Sequence, residues 1–162
     1  MKTIIIFLLF HVVCLNAYCQ EGKKFHYEPL ENSYIVSLKS EKPISKDARQ
    51  VLIRSLDQLC IDTYWDIVEK SIHPDKLNQM SRSALLVNVR FSTTGKMTRV
   101  RFLIRKEYID ILNDRELYAF YCNLEKFEVD MSKLEIEYPQ NWIEGTEAFW
   151  SFSFPIKRGQ QP

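Results

Sequence analysis

The chain has 162 residues, of which 46% are hydrophobic and 27% charged, the profile of a globular protein with room for one ordinary core rather than two. Its 22 basic residues stand against 21 acidic ones, and Lys2 is the only charge before Glu21. That balance offers no electrostatic case for nucleic acid or for an anionic membrane surface as partner.

From the N-terminus, Lys2, the apolar run Ile4 to Leu15 and the smaller residues Ala17-Tyr18-Cys19 have the pattern of a secretory leader. The apolar core is shorter than the ~20 residues of a transmembrane helix. Residues 1–19 are therefore expected to be a signal peptide, and the protein to be exported to a periplasm or the cell exterior. The alternative is a lipid anchor at Cys19, for which Tyr18 is a bulky preceding residue. Residues 20–33 are polar and predicted to be loose. Residues 34–158 are expected to form one domain.

Tyr34 to Lys39 has strand character. Pro43 breaks the chain, Ser45 is placed as a helix N-cap with Asp47 in the first turn, and Ala48, Leu52, Leu56 and Leu59 recur at helical spacing. This predicts an amphipathic helix to about Cys60. Apolar positions then rotate to Tyr64, Ile67, Val68 and Ile72, predicting a second short helix capped by Asp62 or Thr63 and ended by His73-Pro74; a single kinked helix fits the same pattern. Asp75 to Arg82 reads as a polar connection.

The clearest local pattern follows, over Ala84 to Ile104. Leu85, Val87, Val89 and Phe91 alternate with Leu86, Asn88, Arg90 and Ser92, the two-residue period of a half-buried strand. After Ser92 to Lys96, Thr98, Val100, Phe102 and Ile104 alternate with Met97, Arg99, Arg101 and Leu103. Gly95 supplies the positive φ that a tight strand connection needs. Residues 84–104 are thus predicted to be a β-hairpin, and the fold to be α+β: an antiparallel sheet centred on that hairpin, with helices packed on one face.

Beyond an ambiguous stretch from Arg105 to Leu112, Asn113 with Glu116 has capping-box spacing. The helix it opens buries Leu117, Phe120, Tyr121 and Leu124. Lys133 to Tyr138 alternates as an exposed strand, and Pro139 and Gly145 bracket a loop holding Trp142. Thr146 to Ile156 places Trp150, Phe152, Phe154 and Ile156 on one face of a closing strand. Pro155 has no N–H to donate, which predicts that the strand lies at an edge or leaves the sheet there.

The phrases Leu86 to Phe91, Gly95-Lys96, Val100-Arg101-Phe102 and Phe152 to Ile156, in the order hairpin, helix, aromatic closing strand, resemble the C-terminal domain of TonB and its small relatives. The likeness covers Leu85 to Ile156. It implies a sheet with helices on one face and an edge open to strand addition by a partner peptide. It does not imply energy transduction, since a TonB-type transducer carries a retained membrane helix and a long proline-rich spacer.

Candidate chemistry is sparse. Cys60 and Cys122 follow the leader, and in an oxidising compartment they form a possible disulfide worth on the order of 4 kcal/mol; two separate buried thiols are the alternative. His73-Pro74-Asp75 suggests a base with a carboxylate, or a histidine at a helix end interacting with its dipole. No His, Cys and acidic spacing matches a zinc or calcium site, Gly occurs four times with no phosphate loop, and no cofactor is predicted. Arg90, Arg99 and Arg101 share the hairpin face opposite the core, either as a cationic stripe for an acidic ligand or as the solvated side of a sheet. Trp142, Phe149 and Tyr138 form an aromatic patch by the closing strand, or else cover the sheet end. The expected function is a noncatalytic exported module that binds a peptide or cell-envelope component. The alternatives are a small envelope enzyme using acidic residues and His73, and a structural accessory subunit.

Overall fold

Alternation along the hairpin decides where the core lies. In the computed structural model, which describes residues 24–41, 48–54, 56, 58–140 and 148–158, Leu85, Val87, Val89 and Phe91 are fully buried, as are Val100, Phe102 and Ile104. The leader with Cys19, the Ser45 cap and Trp142 lie outside the described residues. The strands are β1 (Phe25–Pro29), β2 (Ser33–Leu38), β3 (Arg49–Gln50), β4 (Leu52–Ile53), β5 (Leu85–Ser92), β6 (Met97–Arg105), β7 (Ile136–Glu137) and β8 (Ala148–Pro155). The helices are α1 (Gln58–Ser71), α2 (Pro74–Gln79) and α3 (Asp114–Leu124). A six-stranded sheet runs β1-β2-β6-β5-β8-β3, and β4 pairs with β7 apart from it. The architecture is α+β. The sheet is not purely antiparallel, because β3 runs parallel to β8.

The hairpin forms with one irregularity. Arg90 lies opposite Arg99 but Phe91 lies opposite Met97, so Thr98 is an extra residue on β6. This bulge turns Thr98 out to solvent and brings Met97 against the core, reversing the faces that simple alternation predicts for these two residues. Gly95 has φ +81, as the turn requires. Val129 N–H donates to Gly95 O at 3.0 Å, docking the turn on the segment after α3.

Within the segment expected to be a helix up to Cys60, residues 49–53 are instead β3 and β4, and Gln58 to Cys60 are helical. Val51 and Ile53 are buried, whereas Leu52 and Leu59 are 57% and 65% exposed. The true period there is two, and Val51 N–H donates to Phe149 O at 2.8 Å. The flank of β8 needed a ladder partner, and this segment supplied it in preference to forming a helix. α1 keeps Tyr64 and Val68 of the second predicted stripe, but it begins at Gln58, ahead of Asp62 and Thr63, and buries Cys60 and Trp65 beside them. Residues 25–29, expected to be loose, pair with β2 as β1 and bury Phe25. The polar connection after Pro74 contains α2.

α1 and α3 cover the same sheet face. Tyr64 stacks on Phe154 with centroids 4.2 Å apart, and Phe120 meets Phe102 at 5.7 Å. Phe91 stacks on Trp150 at 4.2 Å. The aromatic content is thus spent largely on the core. At the start of α3 the capping box is complete: Glu116 N–H donates to Asn113 Oδ1 at 2.9 Å, and Asn113 N–H donates to Glu116 Oε2 at 3.0 Å. Lys76 of α2 donates to the same Glu116 carboxylate at 2.6 Å.

Two predictions follow from this packing. A Cβ at Gly95 would lie 2.0 Å from Val129 O, so Gly95→Ala should cost about 1–3 kcal/mol in urea unfolding; an unchanged midpoint would contradict the turn geometry. Burial works to raise the Glu116 carboxyl, but the hydrogen bonds from Lys76 and from the Asn113 backbone outweigh it and hold the group below its ordinary 4.5. A depressed native value means that its stabilisation is present above the unfolded value and is lost as pH falls through the native one. Glu116→Gln should therefore lower stability at pH 7 and flatten the acid limb of a stability–pH curve below about pH 4.5.

Candidate functional site

The alternation that sends valine and phenylalanine inward sends the arginines outward, onto a sheet face that no helix covers among the described residues. Arg90 lies directly across from Arg99, and Arg101 across from Asn88. Like charges placed opposite one another repel, and two contacts relieve this. Arg99 Nη2 donates to Glu41 Oε2 at 2.7 Å, and its Nε donates to the other carboxylate oxygen. Arg101 Nε stands 3.7 Å from the same carboxylate. Arg99 and Glu41 are each only 14% exposed, so this is a partly buried, bidentate pair rather than a loose surface bridge. Arg90 places its guanidinium carbon 3.8 Å above the Phe149 ring. Arg90 and Phe149 are therefore brought together, while Arg99 and Arg101 share Glu41. Glu41 brings one negative charge to these three arginines, and Phe149 brings none. Beside it is a hollow of about 260 Å³, floored by Ile35, Leu86 and Leu103 and edged by Arg101, Asn88 and Ser153. Asn88 Nδ2 donates to Ser153 Oγ at 3.0 Å there.

The second feature is the outer edge of β8. Ile156 N–H donates to Leu85 O at 3.0 Å, and β8 lies opposite β5 from Phe149 to Pro155. In an antiparallel ladder this phase turns the backbone groups of Trp150, Phe152 and Phe154 toward β5, and those of Phe149, Ser151, Ser153 and Pro155 away from it. β3 pairs with Ala148 and Phe149 only. From Trp150 to Pro155, among the described residues, no strand pairs with β8 on its outer side. Pro155 sits where its missing N–H faces outward, in keeping with the edge that its presence predicts. Its carbonyl accepts a hydrogen bond from Tyr64 Oη at 3.1 Å. Burial raises the Tyr64 hydroxyl well above its ordinary value, so it remains a donor.

The other candidates are separated or solvated. His73 is the N-cap of α2, its Nδ1 accepting from Asp75 N–H at 3.3 Å, and α1 stops at Ser71 just ahead of it. His73 and Asp75 approach to 3.5 Å, but their side chains are 67% and 80% exposed, without the low-dielectric setting that tunes a catalytic pair. Cys60 and Cys122 are not bridged. The far end of α1 meets α3 where Asn123 Nδ2 donates to Ser71 Oγ at 3.0 Å. Cys60 lies eleven residues earlier on α1, about 16 Å along its axis, while Cys122 adjoins Asn123; a disulfide needs Cα atoms within about 7 Å. Tyr138 is exposed. Among the described residues no group of three His, Cys, Asp or Glu side chains is arranged to hold a metal ion. None of the described helices is long and apolar enough to cross a membrane.

Glu41 and the polar pair Asn88 and Ser153 are site residues that the sequence pattern does not single out. Glu41 lies 58 positions from its partner Arg99, and nothing local marks it. Glu41→Gln should cost about 1–3 kcal/mol in urea unfolding, since it leaves Arg99 partly buried without its carboxylate. A loss under about 0.5 kcal/mol would place the pair among ordinary surface bridges.

No protein-family model and no curated protein matches this chain. Among solved structures, it is similar to the crystal structure of a DUF5043 family protein from Bacteroides uniformis ATCC 8492, with a TM-score of 0.52 and 9% sequence identity. The match covers 86% of this chain and 90% of that one. At that identity the likeness is one of fold.

Proposed function

We propose that this protein is an exported, noncatalytic binding module whose closing strand takes an extended peptide onto its open edge. The observation that carries the proposal is that, among the described residues, β8 is paired on one side only from Trp150 to Pro155. Unpaired ladder groups on an edge are a template for another chain. The resemblance to the TonB C-terminal domain implies the same use of a sheet edge. The arginine face is held in place by Glu41 and Phe149 and keeps a net positive charge beside this edge.

Ser153 gives a direct test. Its N–H faces outward, so proline at 153 removes an edge donor while sparing the ladder to β5, as Pro155 already does two residues on. The probe is an octapeptide of alternating Thr and Val, acetylated and amidated, titrated to millimolar concentration into ¹⁵N-labelled protein. The expected result is saturable shifts centred on the Ser151 and Ser153 amides. Ser153→Pro, checked for an unchanged thermal midpoint, should weaken binding at least tenfold. Shifts centred elsewhere, no saturable shift, or undiminished binding by a folded Ser153→Pro protein would each overturn the proposal.

A further inference from the structure

The open edge of β8 has a definite end. Pro155 offers no N–H, and its carbonyl is already taken by Tyr64 Oη. Among the described residues, a strand laid along the edge therefore finds its last unpaired backbone groups at Ser153 and needs a different kind of contact beyond. The next residues of the chain, Ile156, Lys157 and Arg158, form one wall of a groove of about 460 Å³ between α1 and α2. Trp65 and Val68 of α1, Leu77 of α2 and Ile156 make its apolar lining. That volume suits one or two large apolar side chains. The rim is cationic: Lys157 and Arg158 stand against the single carboxylate of Glu69. The Arg158 guanidinium lies 5.7 Å from the Trp65 ring centroid, holding a charge beside the apolar lining.

The geometry points to the C-terminus of a peptide as the occupant of this groove, with a large apolar last residue against Trp65 and Leu77 and its carboxylate met by Lys157 and Arg158. This inference rests on the edge-binding proposal above and deepens it by naming the end of the peptide and its direction. Backbone pairing stops where the groove begins, so a chain that terminates there loses no further ladder bonds. The net positive rim complements a terminal carboxylate. A peptide whose C-terminus reaches the Ile156 end runs parallel to β8, the direction that β3 already takes at the other end of the same edge.

The test uses the Thr-Val octapeptide with Phe as its last residue, N-terminally labelled with fluorescein, as the free acid and as the amide. In anisotropy titrations the free acid is expected to bind wild type at least tenfold more tightly than the amide. Lys157→Gln/Arg158→Gln should erase that difference while leaving amide affinity unchanged. Equal affinity of acid and amide for wild type overturns this inference, and if Ser153→Pro then weakens both, the edge proposal survives without it. Acid-selective binding that Ser153→Pro leaves intact overturns the parallel-strand placement and the edge proposal together. Selectivity that persists in the double glutamine variant removes Lys157 and Arg158 as the carboxylate's partners.

Discussion

The doubly paired strand β5 is the constraint on which the rest depends. It carries β6 on one side and β8 on the other, so its backbone is satisfied laterally and only its faces remain to be covered. One face, Leu85, Val87, Val89 and Phe91, is wholly buried. Covering it calls for amphipathic helices from both halves of the chain, and α1 and α3 provide them with Tyr64 and Phe120. Burying a large side chain contributes roughly 1.5–3 kcal/mol, and the Phe91–Trp150 stack adds directional contact across the β5–β8 pair.

The opposite face follows from the same alternation and has a different problem. Arg90 and Arg99 are forced into register by the ladder, and the fold relieves them with a carboxylate from the turn after β2 and an aromatic ring from β8. Three guanidinium groups share one carboxylate there, so the row stays cationic while Glu41 and Phe149 hold its side chains in place. Among the described residues, the outward N–H and C=O groups of β8 beyond the short cover of β3 face no other strand. The fold contains two ways of finishing an edge strand, a parallel partner at one end and a proline with a tyrosine-bonded carbonyl at the other. The groove behind Ile156 begins where the second of these ends the ladder.

The hairpin, the Gly95 bend, the Asn113–Glu116 cap and the edge position of Pro155 were all legible in the sequence. Each is a contact between residues a few positions apart, or a property of a single residue type, so its signal is local. The failures share the opposite property. Residues 49–53 fit a helical stripe as well as a strand in isolation; a β8 flank from the far end of the chain selected the strand. Thr98 and Met97 exchanged faces because a bulge, invisible to alternation, was inserted opposite Arg90. Cys60 and Cys122 lie on helices that do touch, but their positions along those helices keep them apart.

By itself, then, the sequence determined which segments alternate, where a turn must take positive φ, which residues cap α3, and that Pro155 stands where no ladder N–H is needed. Only the tertiary structure decided that β3 runs parallel beside β8, that Glu41 reaches Arg99 and Arg101, and that Trp65, Leu77 and Ile156 enclose one groove. The physical reason is range. Backbone propensity and side-chain period act over a few residues, whereas strand partnering, charge pairing and groove formation depend on which distant surfaces the buried face of β5 draws together.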